Sequence, residues 1–156
     1  MFKDSTAFVG LDLEDRRSDP CVMDPEGELI EEIRIPTTEP AFRREFVSLP
    51  PCRVAMQAGT HSRWASRLPT ELGHEVLVAN PRKLRLIYGS PRNADEANAG
   101  HRARLARLDP QLLSPIRHRV PEAQAHQTVI RSRDSLVRAR TLLINHVRGS
   151  VKTSGA

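Results

Sequence analysis

Aromatic residues make up only 4% of this 156-residue chain, with a single Trp and a single Tyr. That scarcity argues against a base-stacking platform for single-stranded nucleic acid. There are two cysteines, Cys21 and Cys52, and they match no metal-binding spacing, so both are expected as reduced core residues. No apolar run approaches the length of a membrane span, and the N-terminal MFKDSTAF has no signal-peptide hydrophobic region. The expectation is a cytoplasmic protein with no membrane partner. There is no internal repeat or low-complexity tract. There is also no G-x-S-x-G elbow, so His61 and Ser62 in AGTHS read better as a strand-end turn capping a helix than as half of a hydrolase dyad.

What the chain does have is positive charge, unevenly spread. The formal net charge is +5. Up to Glu45 the chain is acid-rich, whereas from Arg53 onward arginine dominates, with Arg102, Arg104, Arg107, Arg117, Arg119, Arg131, Arg133, Arg138, Arg140 and Arg148. A basic surface of this kind suits a polyanion, and nucleic acid is the commonest one; the plainer alternative is a solvated helix face. The length allows one ordinary domain plus an appendage.

The organising stretch is AFVGLDL, Ala7 to Leu13, a run of β-forming apolar residues with one carboxylate, Asp12, inside it. Burying an ionised group costs several kcal/mol unless it is paired. Either Asp12 is a solvated strand-end residue and Gly10 merely loosens the strand, or Asp12 holds a cation that the sheet presents. Pro20 to Asp24 reads as a second strand, DPEGE as a tight turn, and Leu29, Ile30, Ile33 and Ile35 as a third strand, all antiparallel. Thr37 or Thr38 then caps a helix that Pro50 and Pro51 stop. Arg53 to Gln57 is a fourth strand, Thr60 or Ser62 caps the next helix, and His74 to Ala79 is a fifth strand. Pro69 should kink that second helix or end it early. A short amphipathic turn carries Leu84, Leu86 and Ile87, and Ala94 to Leu108 reads as an Ala- and Arg-rich helix. From Pro121 a long helix runs to about Val151. Its apolar pairs Val129 with Ile130, Leu136 with Val137 and Leu143 with Ile144 give half of a coiled-coil seam, interrupted by Arg133 and Arg140. The fold class expected is α/β, a mixed five-stranded sheet flanked by helices and followed by a long basic helix.

This order is that of the ribonuclease H-like architecture, and the segments VGLDL, DPEGELIEEIRIPTT, LPPCRVAMQAGTHSRW, LGHEVLVANPRKLRLIY, RLARLDPQLLSPIRHR and LVRARTLLINHVRG carry a specific resemblance. Nearly the whole chain resembles the N-terminal domain of insertion-sequence-110 type transposases. The resemblance implies a ribonuclease H-like domain over residues 1–120 and a basic helical segment over 121–156 that starts a coiled-coil region. It implies DNA transposition and recombination, with DNA and a structured guide RNA as partners, and a homo-oligomer formed through the C-terminal helix. It also implies a second domain with a nucleophilic Ser; the chain ends at KTSGA before any such domain, so a truncated or decayed copy, or one fragment of a split gene, is expected.

The resemblance further implies a DEDD site, in which clustered carboxylates hold Mg²⁺ against a phosphodiester. Carried over by position, Asp12 and Asp95 match the first and third acids and would be the metal ligands. Gln57 and Asn98 stand where the family has Glu and Asp. Each swap keeps the shape but removes a full negative charge, worth about 4 kcal/mol against a unit charge about 4 Å away at an effective dielectric near 20. Weak or absent Mg²⁺ binding is therefore expected. Glu96 is next to Asp95 but on a helix points about 100° away, so it is a poor substitute. Arg82, Lys83 and Arg85 follow the fifth strand and could clamp a nucleic-acid backbone, with Arg131, Arg138, Arg140 and Arg148 doing the same on the long helix. Two readings stay open: a transposase with a degraded site, or a catalytically silent nucleic-acid-binding or dimerisation module.

Overall fold

The computed structural model describes residues 7–88 and 98–155. The chain forms two compact units, Met1–Arg117 and His118–Ala156. In the first, β1 (Phe8–Leu13), β2 (Arg17–Met23), β3 (Leu29–Glu32) and β4 (Ile35–Pro36) precede α1 (Glu39–Ser48), β5 (Arg53–Gln57), α2 (Ser62–Glu71), β6 (Glu75–Ala79), α3 (Pro81–Tyr88) and α4 (Asn98–Leu108). A 3₁₀ turn at Pro110–Leu113 follows, and Ile116 bridges antiparallel to Val78. The strand order is β3-β2-β1-β5-β6, with β4 also on β2. β1, β5 and β6 run parallel, while β1 with β2 and β2 with β3 are antiparallel. This mixed sheet with flanking helices is the ribonuclease H-like arrangement expected.

The third strand differs from its expected form. It is split into β3 and β4, because the β2 register shifts between Val22 and Met23 and Ile33 N–H instead donates to the Pro20 carbonyl at 3.0 Å. All four β3 residues are exposed, including Leu29 and Ile30. Glu31 and Glu32 keep this sheet edge from recruiting another strand.

Alternation along the parallel strands sorts side chains to two faces. Val9, Leu11, Val54 and Met56 join Phe42 and Phe46 of α1 and Ala65 and Leu68 of α2 in the larger core. Trp64 closes it, with its ring centroid 5.0 Å from that of Phe42. Buried His74 ties this core together: Cys52 N–H donates to Nδ1 at 3.2 Å, and Nε2–H donates to the Phe46 carbonyl at 2.9 Å. The opposite face is lined by Ala55, Ala79, Leu84, Ala106 and Leu113, beside Phe8, Met23 and Ala103. Cys21 and Cys52 are both free and buried.

Two helix starts depart from the expected caps. Thr38 occupies the α1 N-cap without a side-chain cap bond, while Thr37 Oγ1 donates to the Glu14 carbonyl at 2.8 Å, tying α1 to the β1–β2 turn. At α2 the N-cap is His61, and Ser62 Oγ closes a turn with Gly59 N–H and carbonyl at 2.9 and 2.8 Å. Pro69 lies buried within α2, which ends two residues later at Glu71. The stretch expected as a short turn is helix α3, started by Asn80, whose Oδ1 accepts from Arg82 N–H at 3.0 Å.

The second unit holds α5 (Pro121–Thr153), 33 residues with Pro at its first turn and no buried residue. Val129, Ile130, Leu136, Val137, Leu143 and Ile144 are exposed on it. Among the described residues, no helix is long and apolar enough to cross a membrane.

Candidate functional site

Parallel strands bring their carboxyl ends to one edge of a sheet, where open α/β folds place their ligands. β1 ends in Asp12 and Leu13, and β5 ends in Gln57. The parallel register pairs Leu11 with Met56, so Asp12 and Gln57 come next, side by side. Both share the alternation of Gly10 and Ala55, which puts them on the α4 face of the sheet.

α4 lies close against this face because its stripe is small. Ala99, Ala103 and Ala106 are buried, and a Cβ on Gly10 would come within 1.7 Å of the Ala99 carbonyl oxygen. Ala at position 10 has no room, so the glycine is a condition of helix docking and not a weakness in the strand.

Within the same stripe sits Arg102, which is 3% exposed. Its Nη1 lies 3.1 Å from Asp12 Oδ1 and donates to the Leu11 carbonyl, also at 3.1 Å. Its Nη2 donates to Gln57 Oε1 at 3.4 Å. Its buried Nε has no hydrogen-bond partner. The sequence counted Arg102 among a basic surface; the structure places it inside, bridging the two strand-end residues that the DEDD pattern assigns. Arg107 is likewise drawn inward, its Nη1 donating to the Pro25 carbonyl at 2.9 Å. The usable signal was spacing: Arg102 lies at helical intervals with Ala99 and Ala106, so it belongs to the face that packs on the sheet.

Of the other expected site residues, Asp95 lies outside the described residues, as does the side-chain placement of Asn98 and Arg85. Asn98 is the first residue of α4. Arg82 and Lys83 are exposed in the first turn of α3, directly after β6 and therefore at the same edge of the sheet. Arg131, Arg138, Arg140 and Arg148 are exposed on α5, where Arg138 Nη2 pairs with Asp134 at 3.0 Å.

His61 and Ser62 form no dyad. Trp64 Nε1–H donates to His61 Nδ1 at 3.3 Å, which leaves Nε2 to face Asp15 Oδ1 at 3.1 Å, while Ser62 Oγ turns back to Gly59. Cys52 Sγ is 3.1 Å from His74 Nδ1, but burial pushes the thiol up to about 12, so it is no nucleophile at neutral pH.

A divalent cation is what a DEDD cluster would hold, and the described residues do not fit one. Asp12 is the one carboxylate of the Asp12–Gln57 pair, and it already faces a guanidinium. A dication about 4 Å from that guanidinium meets a repulsion of about 8 kcal/mol at an effective dielectric of 20. Among the described residues, no three His, Cys, Asp or Glu side chains converge to hold a metal.

Residues 9–154 match the profile of the insertion-sequence-110 DEDD family, described as a transposase. A probable family 20 transposase of Pseudomonas aeruginosa is 41% identical over 106 residues, covering 67% of this chain and 30% of that relative. The chain thus spans under a third of the length of that protein. With the profile covering the sheet from Val9 onward, α4 and all of α5, the chain belongs to the insertion-sequence-110 family of DEDD transposases.

Proposed function

We propose that this chain docks on DNA through the phosphate backbone as part of an insertion-sequence transposase, and that its own carboxyl-edge site is catalytically silent. The observation that supports the silence is that Arg102 engages the carboxylate of Asp12 and reaches Gln57, an amide at the position where the DEDD pattern calls for Glu. Metal-assisted phosphodiester chemistry needs several carboxylates converging on the ion. With Gln57 and Asn98 as amides, Asp12 and Asp95 are left as the acids of the DEDD pattern, so Mg²⁺ binding is weak or absent in this reading.

Family membership implies DNA as partner, and the exposed arginines supply the physical means. Arg82 and Lys83 stand at the carboxyl edge of the sheet, and Arg131, Arg138, Arg140 and Arg148 run along α5. Contacts of this type position a duplex and carry no sequence information. A folded guide RNA would meet the same side chains by the same phosphate contacts. We place the protein in the cytoplasm, where free Cys21 and Cys52 remain reduced.

A second reading rests on α5. Its paired apolar residues Val129, Leu136 and Leu143 are 68%, 71% and 66% exposed. A helix with such a face pairs with another copy of itself, in spite of Arg133 and Arg140 in the seam.

Fluorescence anisotropy with a labelled duplex, titrated at several salt concentrations, tests the main reading. The expected result is sequence-independent binding with log Kobs falling linearly in log salt, together with an intact duplex after incubation with Mg²⁺. Sequence-selective binding without a salt slope, or strand cleavage by the purified chain, would refute it. A structured RNA in place of the duplex separates the two polyanions.

A further inference from the structure

We infer that the Arg102 guanidinium is the resident cation of the carboxyl-edge site, held where Asp12 and Gln57 converge, and that it shuts this site to divalent metals. The inference rests on the proposed reading that Asp12 and Gln57 mark the DEDD position, and it adds a cause that the two amides alone do not supply.

Three observations converge. The guanidinium is buried, and a buried charge persists only where it is paired. It spans both strand ends at once, reaching Asp12 and Leu11 on β1 through Nη1 and Gln57 on β5 through Nη2. The planar fork of arginine allows that double engagement, which a lysine ammonium cannot reproduce. Finally, among the described residues one carboxylate, that of Asp12, faces one guanidinium, with neutral oxygens from Leu11 and Gln57 beside it. A Glu at position 57 would leave an excess negative charge beside a single guanidinium. The amide at 57 and the arginine at 102 therefore suit one another, with a fixed cation on α4 standing where an exchangeable one would otherwise sit.

The consequence separates this idea from simple loss of carboxylates. Restoring the acids with Gln57→Glu and Asn98→Asp should not by itself restore metal binding, because the position is already filled. Removing the guanidinium as well should.

The test is calorimetric titration of the 156-residue chain with Mn²⁺, paired with thermal unfolding with and without Mn²⁺. Three proteins are compared: the natural sequence, Gln57→Glu/Asn98→Asp, and that double variant with Arg102→Leu. The expected result is no Mn²⁺ heat and an unmoved Tm for the first two. The triple variant should bind roughly 100-fold more tightly than the double variant and gain Tm with Mn²⁺. Equal Mn²⁺ affinity in the double and triple variants would overturn the inference while leaving the metal-site reading in place. A triple variant that keeps its far-UV circular dichroism yet binds no Mn²⁺ would overturn that underlying reading, and the inference with it.

A second, metal-free measurement guards against a triple variant that does not fold. Asp12→Asn and Arg102→Gln are made singly and together, and unfolding by urea is followed. If the pair is a fixed ion pair, Asp12→Asn should recover roughly 10-fold in the folding equilibrium when added to Arg102→Gln. Strict additivity of the two changes would show that the guanidinium does not serve Asp12, and the inference would fall.

Discussion

Gly10 and Ala99 meet so closely that a single added carbon on Gly10 would stand 1.7 Å from the Ala99 carbonyl oxygen. The contact is between a strand and a helix backbone, so no side-chain rotation relieves it. The position of α4, and with it that of Arg102, depends on this absent methyl.

Gly10→Ala should therefore lift α4 from the sheet and cost about 3 kcal/mol or more. Gly59 is the control, since a Cβ there meets nothing within 4 Å. Gly59→Ala should stay within about 0.5 kcal/mol of the natural protein. Urea denaturation of both variants reads the difference, and equal midpoints would contradict the close approach.

His74→Ala should cost about 3 kcal/mol. It leaves Cys52 N–H and the Phe46 carbonyl without their buried partner and opens a void between α1 and β5. Chemical denaturation checks the size of the loss, and a change below about 1 kcal/mol would mean that the imidazole is dispensable.

Cys52 predicts an alkaline limit to stability. Burial raises its thiol from 9.0 to about 12. In the unfolded chain the thiol ionises first, so the folded state binds the extra proton and stability falls as pH rises between those two values. Below 9.0 the contribution is fully present. The slope from one such group is at most about 1.4 kcal/mol per pH unit. Cys52→Ala should flatten the decline of unfolding free energy measured through that window, and an unchanged slope would assign it to other groups. Cys21, also raised chiefly by burial, should resist alkylation in the native protein alongside Cys52.

Arg131→Ala and Arg140→Ala on α5 should each weaken duplex binding about equally across unrelated sequences. Each lost phosphate contact reduces the salt slope by about 1. Anisotropy at several salt concentrations measures this. A loss confined to one target sequence would instead indicate base contacts.

Leu136→Gln with Leu143→Gln should abolish concentration-dependent self-association measured by analytical ultracentrifugation. These side chains are 71% and 66% exposed, so the monomer itself should lose little stability. A natural protein that stays monomeric at high concentration would remove the pairing reading.

Much of the fold was legible because the chain's punctuation is local. Strand β5 over Arg53–Gln57 matches its expected limits, and β6 and α5 fall within two residues of theirs. Apolar alternation and helix periods act over a few residues, and Pro and Gly end elements by their own dihedral limits. Where neighbours decide, sequence reading fell short. The break between β3 and β4 follows from a register shift in β2, and α3 needed the Asn80 cap and the buried Leu84 to be seen as a helix.

Strand and helix order, the family and the two amides at Gln57 and Asn98 are all written in residue types and spacing along the chain. The role of Arg102 is set by the folding of the chain around it. Along the chain it is one arginine among many; folded, it crosses from α4 to Asp12 and Gln57 because small residues bring that helix onto Gly10. Whether a charge is solvated or buried depends on the surface that comes to lie over it, and that surface is made by residues far away in sequence.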